Sequence, residues 1–492
     1  MRKSGILLPV ASLPSKYGIG AFSKNAYKFI EFLKTAGQSY WQILPLGPTG
    51  YGDSPYQSFS TFAGNPYFID LETLINEGYL TREECEAYDF GQNDRYIDYE
   101  KIYLSKFKIL RTAFERSNIS ESKEFQQFIK DNAYWLEDYA LYMAVKNHFS
   151  GRSWSQWDDD IRMRERAAMK RFKDMYADEI AFYQFQQFMF IQQWSKLKDF
   201  TNKCGIRIIG DIPIYVAFDS ADAWANPELF QFDENMNPIA VAGCPPDAFS
   251  PTGQLWGNPL YDWEYHRKTS YAWWIRRIAY CFKLYDVVRV DHFRGFDEYY
   301  SIPYGSITAE KGSWQKGPGY DIFKELNRQL GKLDIIAEDL GFLTESVLEL
   351  VRKTGYPGMK VLEFAFDSRE KSDYSPHNYD RNCVVYTGTH DNETIVGWYK
   401  NLNTEDKQLA IDYLDIDVEK ENDIHWKFIR LALASVADLV IIPIQDYLGL
   451  GNEARINKPS TVGDNWKWRL LENEITDDLV RRIKKVTATY ER

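Results

Sequence analysis

The chain has 492 residues, and its 59 basic side chains are outnumbered by 71 acidic ones, for a net charge of −12. A surface of that sign repels a phosphate backbone, and no run of Lys or Arg interrupts it, so nucleic acid is not expected as a partner. The five cysteines are scattered without a C-x-x-C pair, which argues against a disulfide framework or a zinc site and fits a reducing compartment.

In chain order, the opening MRKSGILLPVASLPSKYG has an apolar run broken by Pro9. That run is too short for a signal sequence, and no later stretch is apolar for long enough to span a bilayer, so a soluble, cytoplasmic protein with no membrane partner is expected. GILLPV from Gly5 begins a series of short, β-branched runs of the kind buried on both faces of a parallel sheet. The others are YWQILPL from Tyr40, IRIIGDIPI from Ile206, YDVVRVD from Tyr285, DIIAED from Asp334, KVLEFAF from Lys360, CVVYTGT from Cys383 and DLVIIPI from Asp438. Eight such runs predict a (β/α)₈ TIM barrel, and residues 1–492 fit one catalytic barrel with insertions. SKNAYKFIEFLKTAG after the first run predicts a crossover helix whose Ala26, Phe29, Ile30 and Leu33 face the sheet.

Two intervals are far longer than a crossover needs: residues 47–205 after the second strand and 215–284 after the third. Both are expected to be inserted subdomains. The first reads as mainly helical, with apolar residues at three- and four-residue spacing in FQQFIKDNAYWLEDYALYMAVKNHF and EIAFYQFQQFMFIQQWSKLKDF. No repeat or Pro/Ser-rich hinge suggests a free linker. Aromatics make up 16% of the chain, and any one ring fits either core packing or stacking on a sugar.

Catalytic groups of such barrels stand at the C-terminal ends of the strands. Four runs close on candidates: Asp211 after IRIIG, Asp291 after VVRV, Glu338 after DIIA, and His390 with Asp391 after VVYTGT. One carboxylate there is as consistent with capping a helix as with catalysis; four converging on one rim point to chemistry that uses shifted pKa values. Glycoside cleavage needs a carboxylate to attack the anomeric carbon and a second, protonated one for the leaving oxygen. A retaining mechanism predicts a separation of roughly 5 to 5.5 Å between the Asp291 and Glu338 carboxyls, against roughly 9 Å for inversion. Arg289, two residues before Asp291, shares its side of the strand and would keep that carboxylate ionised. His292 fits a packed histidine as well as a functional one; His390 is read as a sugar ligand. GCPPDAFSPTGQLWGNP, residues 243–259, has the composition of a loop able to fold over a bound chain, with Trp256 in it, or of an ordinary surface loop. Ser54 and Tyr56, after the second strand, are placed on the same rim, as sugar contacts or as plain turn residues.

At DSPYQSFSTFAGNPY (from Asp53), GDIPIYV (Gly210), PPDAFSPTGQLWGNPLY (Pro245), RVDHFRG (Arg289), AEDLG (Ala337), THDNET (Thr389) and DNWKWR (Asp464), the sequence resembles the amylomaltases, or 4-α-glucanotransferases, of the α-amylase superfamily. The resemblance covers essentially the whole chain. It implies Asp291 as nucleophile, Glu338 as general acid/base and Asp391 as transition-state stabiliser. It further implies sugar contacts from Ser54, Tyr56, Trp256, Arg289, Asp339, His390 and Asn465, with Asp211 supporting the donor side. Many amylomaltases carry an aromatic after PPD where this chain has Ala248, so no stacking contact is carried over there.

The activity so implied is transfer of α-1,4-glucan segments between maltooligosaccharides, or to glucose, through a covalent glycosyl–Asp291 intermediate. An α-amylase-type hydrolase would use the same three carboxylates, since both outcomes share that intermediate and differ in whether a sugar excludes water from it. A non-catalytic glucan-binding barrel would have no need of all three. The histidines are far apart in sequence and no Asp-rich loop has calcium-site spacing, so neither metal nor cofactor is expected.

Overall fold

The computed structural model describes residues 2–50, 52–246, 250–341, 343–417 and 423–492. Twelve strands occur among them: β1 (Lys3–Leu7), β2 (Tyr40–Gln42), β3 (Arg207–Pro213), β4 (Ala240–Cys244), β5 (Gln254–Pro259), β6 (Val287–Asp291), β7 (Glu298–Pro303), β8 (Ser313–Lys316), β9 (Ile335–Ala337), β10 (Gly358–Val361), β11 (Cys383–Tyr386) and β12 (Leu439–Pro443). Eight form one sheet in the order β10-β11-β12-β1-β2-β3-β6-β9, parallel at every pairing. Its two end strands meet where Ala337 N donates to Pro357 O at 3.0 Å and Met359 N donates to Asp339 Oδ1 at 2.6 Å. This is the (β/α)₈ barrel that the eight apolar runs predict.

Both faces of these strands are buried, which is why the runs are predominantly apolar. Leu7, Ile209, Val287, Ile336, Met359, Val384, Tyr386 and Ile441 fill the barrel, while Ile6, Ile208, Val288, Ile335, Val385 and Val440 alternate outward into the larger core under the helices. The helix Lys24–Thr35 is capped by the Ser23 side chain and buries Ala26, Phe29, Ile30 and Leu33, the stripe its spacing predicts.

Between β2 and β3 the chain is helical. Its last helix, Ala177–Lys203, buries Phe182, Phe185, Phe188, Phe190, Trp194 and Leu197 and leads back into β3. The remaining four strands form an antiparallel sheet, β5-β4-β7-β8. Two of its strands precede β6 and two follow it, so the segments on either side of β6 build one unit beside the barrel mouth. The sequence reading does not contain this sheet. Only β4 is buried along most of its length; β8 is exposed throughout, and β5 is buried only at Asn258 and Pro259. Among the described residues, no helix is long and apolar enough to cross a membrane.

Candidate active site

Register brings the first two carboxylates together. Val290 of β6 pairs with Ala337 of β9, so Asp291 and Glu338 are the next residues on neighbouring strands, at the C-terminal rim. Glu338 N donates to Val290 O and Phe293 N to Glu338 O, each at 3.1 Å. These bonds carry the two chains past the ladder still side by side.

One strand over, Asp211 of β3 pairs with Arg289 of β6. Both side chains enter the barrel interior; Asp211 is 0% exposed and Arg289 3%. Arg289 Nη1 donates to both Asp211 oxygens, at 2.8 and 2.7 Å, and Nη2 lies 3.0 Å from Asp291 Oδ1. A buried guanidinium shared by two carboxylates satisfies the charges that burial would otherwise make prohibitive. Tyr56 OH donates to Asp211 Oδ2 at 2.9 Å. Asp211 therefore presents no surface to the cleft; it holds Arg289, nearly as buried, and Tyr56, which is partly exposed.

The two rim carboxyls titrate differently. Burial pushes Glu338 up to about 7, with the Asp291 charge adding to it. Arg289 and backbone hydrogen bonds from Leu340 and His292 pull the other way; His292 N donates at 2.7 Å and Leu340 N at 2.8 Å. Burial also raises Asp291, and the Arg289 guanidinium opposes it most strongly. With Arg289 bonded to Asp291 and not to Glu338, a single proton shared by the pair resides on Glu338. His292 adopts a left-handed backbone, φ 53°, which turns its N–H toward Glu338. Its ring packs edge-on to Trp256 at 4.8 Å, and burial lowers it to about 3, so it is neutral.

On the opposite side, His390 stacks on Tyr56, with ring centroids 5.0 Å apart and planes within 14°. Asp391 Oδ1 accepts from Asn457 Nδ2 at 2.6 Å and lies 3.4 Å from His390 Nε2. Arg455 Nη2 donates to the Asp391 carbonyl at 2.6 Å. Ser54 Oγ accepts from Tyr56 N at 3.3 Å, fixing the turn that carries the tyrosine. Asp339 and Asn465 are committed elsewhere: Asp339 bonds Met359 N in the barrel wall, and the Asn465 amide bonds Lys458 N and Thr461 O within its own loop. Ala248 lies outside the described residues.

Three residues that build this site are absent from the sequence reading. Trp466 packs 5.9 Å from Tyr56 and 6.0 Å from His390; it stands in DNWKWR, and its neighbour Asn465 was the position singled out there. Asn457 and Arg455 lie in a stretch with no strand or helix period, where nothing local marks them.

A family model described as 4-alpha-glucanotransferase matches residues 8–474. The chain belongs to the 4-α-glucanotransferase family. The 4-alpha-glucanotransferase of Clostridium butyricum is 49% identical to it over 485 residues, 98% of this chain and 99% of that one. Its counterpart in Streptococcus pneumoniae serotype 4 is 48% identical, covering 100% of this chain and 97% of its own. Among solved structures, the amylomaltase from Streptococcus agalactiae, in complex with acarbose, is similar at a TM-score of 0.97 and 40% identity, with both chains covered in full. Membership in the 4-α-glucanotransferase family makes the chain an enzyme of hexosyl transfer, as the motif resemblance implies.

Proposed function

We propose that this transferase works by double displacement on α-1,4-glucans. Asp291, ionised beside Arg289, attacks the anomeric carbon while Glu338 gives its proton to the departing O4. The glycosyl ester on Asp291 is then attacked by the 4-hydroxyl of an incoming maltooligosaccharide or glucose, whose proton returns to Glu338. Asp391, beside His390, stabilises the oxocarbenium-like transition state. Tyr56 and His390 form a platform for the glucose unit being transferred, with Asp211 holding the donor side from beneath. Ser54, Trp256, Asp339 and Asn465 line the glucan path, the last two after release from their present bonds. The inserted segments 47–205 and 215–284 act as subdomains walling this path.

The observation that carries this reading is the pairing of Asp291 with Glu338 on adjacent strands, one bonded to a guanidinium and the other raised to about 7. That is the division of labour a retaining mechanism requires. The acarbose complex of the Streptococcus agalactiae amylomaltase supports an oligosaccharide as the occupant. A cytoplasmic glucan pool, with no nucleic acid as partner, completes the reading.

Incubation with maltotriose tests it. Transfer yields glucose with longer oligomers and almost no new reducing ends, and Asp291→Asn lowers turnover by several orders of magnitude, about 10⁴ or more. Reducing ends that rise in step with maltotriose consumption would identify a hydrolase instead.

A further inference from the structure

Strands β10, β11 and β12 leave the barrel side by side, and the middle one runs into the turn 387–392 that carries Asp391. A carboxyl flanks this turn on each side. Asp446, in the helix Ile444–Leu448 after β12, accepts from Thr387 Oγ1 at 2.5 Å and from Ile395 N at 2.8 Å. Glu363, in the 3₁₀ turn Leu362–Phe364 directly after β10, approaches from the other strand and is only 8% exposed. Asp446 holds Thr387 at the start of the turn and Ile395 beyond its end, whereas Glu363 bears on Gly388 within it.

Glu363 meets the turn at two points. A Cβ on Gly388 would lie 2.7 Å from Glu363 Oε1, so the carboxyl packs directly on backbone that only glycine leaves open. That same Cβ would lie 3.2 Å from Asn392 Cβ, so Asn392 and the Glu363 carboxyl close on one point of the turn. Asn392 Oδ1 accepts from Thr389 N at 2.9 Å and from Thr389 Oγ1 at 2.8 Å. Thr389 Oγ1 in turn accepts from Asp391 N at 3.3 Å. Hydrogen bonds thus link Asn392 through Thr389 to the backbone of Asp391, and the buried Glu363 carboxyl packs at the head of that chain. The side chain of Asp391 is itself 45% exposed, so its position depends on how this turn is held.

Glu363 Oε1 is buried with no hydrogen-bond partner, a poor setting for an ionised carboxylate. Burial pushes Glu363 well above the usual carboxylate range, with Asp446 and Glu393 adding to it; Asn392 and Arg455 offset part of this. Glutamine keeps the shape and hydrogen-bonding capacity of the neutral form that these surroundings favour.

We propose that Glu363 is a positioning residue for the transfer reaction, holding Asn392 and, through Asn392 and Thr389, setting where the Asp391 carboxylate stands. This role rests on the reading of Asp391 given above, which Asp391→Asn tests by itself. Turnover of maltotriose and melting temperature are measured for Glu363→Gln, Glu363→Ala, Asn392→Ala and Asp391→Asn in the full chain. Glu363→Gln keeps the volume and an acceptor for Asn392, so kcat stays within about twofold of the parent. Glu363→Ala lowers kcat about 10- to 100-fold with KM changed less than about threefold, the signature of a displaced catalytic group and not of lost binding. Asn392→Ala cuts the same chain from its partly exposed side, shows the same split, and carries the test if Glu363→Ala does not fold. Parent-level kcat in a folded alanine variant, a loss confined to KM, or Glu363→Gln falling as far as Glu363→Ala overturns the role. Parent-level turnover in Asp391→Asn overturns the reading of Asp391, and this role with it.

Discussion

Glu338 concentrates the competing forces of the site in one side chain. Two backbone N–H groups donate to it and favour its ionised form; burial and the neighbouring Asp291 favour the neutral form and win, raising it to about 7. In the double displacement proposed above the proton on Glu338 goes to the leaving oxygen, so kcat/KM for maltotriose is expected to fall as pH rises through about 7. Glu338→Gln should remove that limb and lower kcat/KM by about 10²- to 10⁴-fold. Stability follows the same proton. Because the folded value is raised above the unfolded one, the contribution of this group is fully present below the unfolded value and is lost as pH rises through about 7. Glutamine does not ionise, so Glu338→Gln should match the parent in acid and exceed it above pH 7 by on the order of 3 kcal/mol. Melting curves across that range check it; a difference independent of pH would show that Glu338 titrates at its ordinary value.

At the scale of elements, the charged core depends on how closely β3 lies against its covering helix and strand. A Cβ on Gly210 would lie 2.2 Å from the Tyr285 ring, which is itself 3% exposed and enclosed. Gly210→Ala must therefore push β3 away from Tyr285. It should cost about 1–3 kcal/mol of stability by overpacking and shift Asp211 relative to Arg289, lowering maltotriose turnover together with the melting temperature. Unchanged melting would show that the ring yields. Elements like β3 are legible in sequence because both faces are buried, so IRIIG, VVRV and VVYT stand out as short β-branched runs, broken only by Arg207 and Arg289, that lead to polar residues at the rim. The same contrast exposes Asp211, Asp291, Glu338 and Asp391. The antiparallel sheet lacks that contrast: SWQK at β8 is exposed, and GCPPDAFSPTGQLWGNP reads as loop although it ends in β5. Asn457 and Arg455 act through the folded path of a loop that no period describes. Asp211 is legible as a strand-end carboxylate, but its complete burial under Arg289 and Tyr56 is a property of the assembled barrel.

The barrel as a whole is not uniformly fastened. β1 and β12 share five paired positions, whereas β9 and β10 are joined through Ala337 N to Pro357 O and Asp339 Oδ1 to Met359 N. The Asp339 carboxylate lies so close to β10 that a Cβ on Gly358 would fall 2.2 Å from its Oδ2. This seam adjoins Glu338, so the residue next to the proposed acid/base also joins the two ends of the sheet. Asp339→Ala leaves Met359 N without its acceptor, which should cost about 1–3 kcal/mol. Amide exchange should accelerate along β9 and β10 while β1 and β12 stay protected, because opening is local to the weakest seam. Asp339→Asn keeps an acceptor oxygen for Met359 N, so the seam should hold and exchange should match the parent. A fall in maltotriose turnover in Asp339→Asn then reports sugar contact alone, whereas a fall in Asp339→Ala reports both roles. Equal protection of β9 and β10 in the alanine variant would mean that the barrel closes without this side chain.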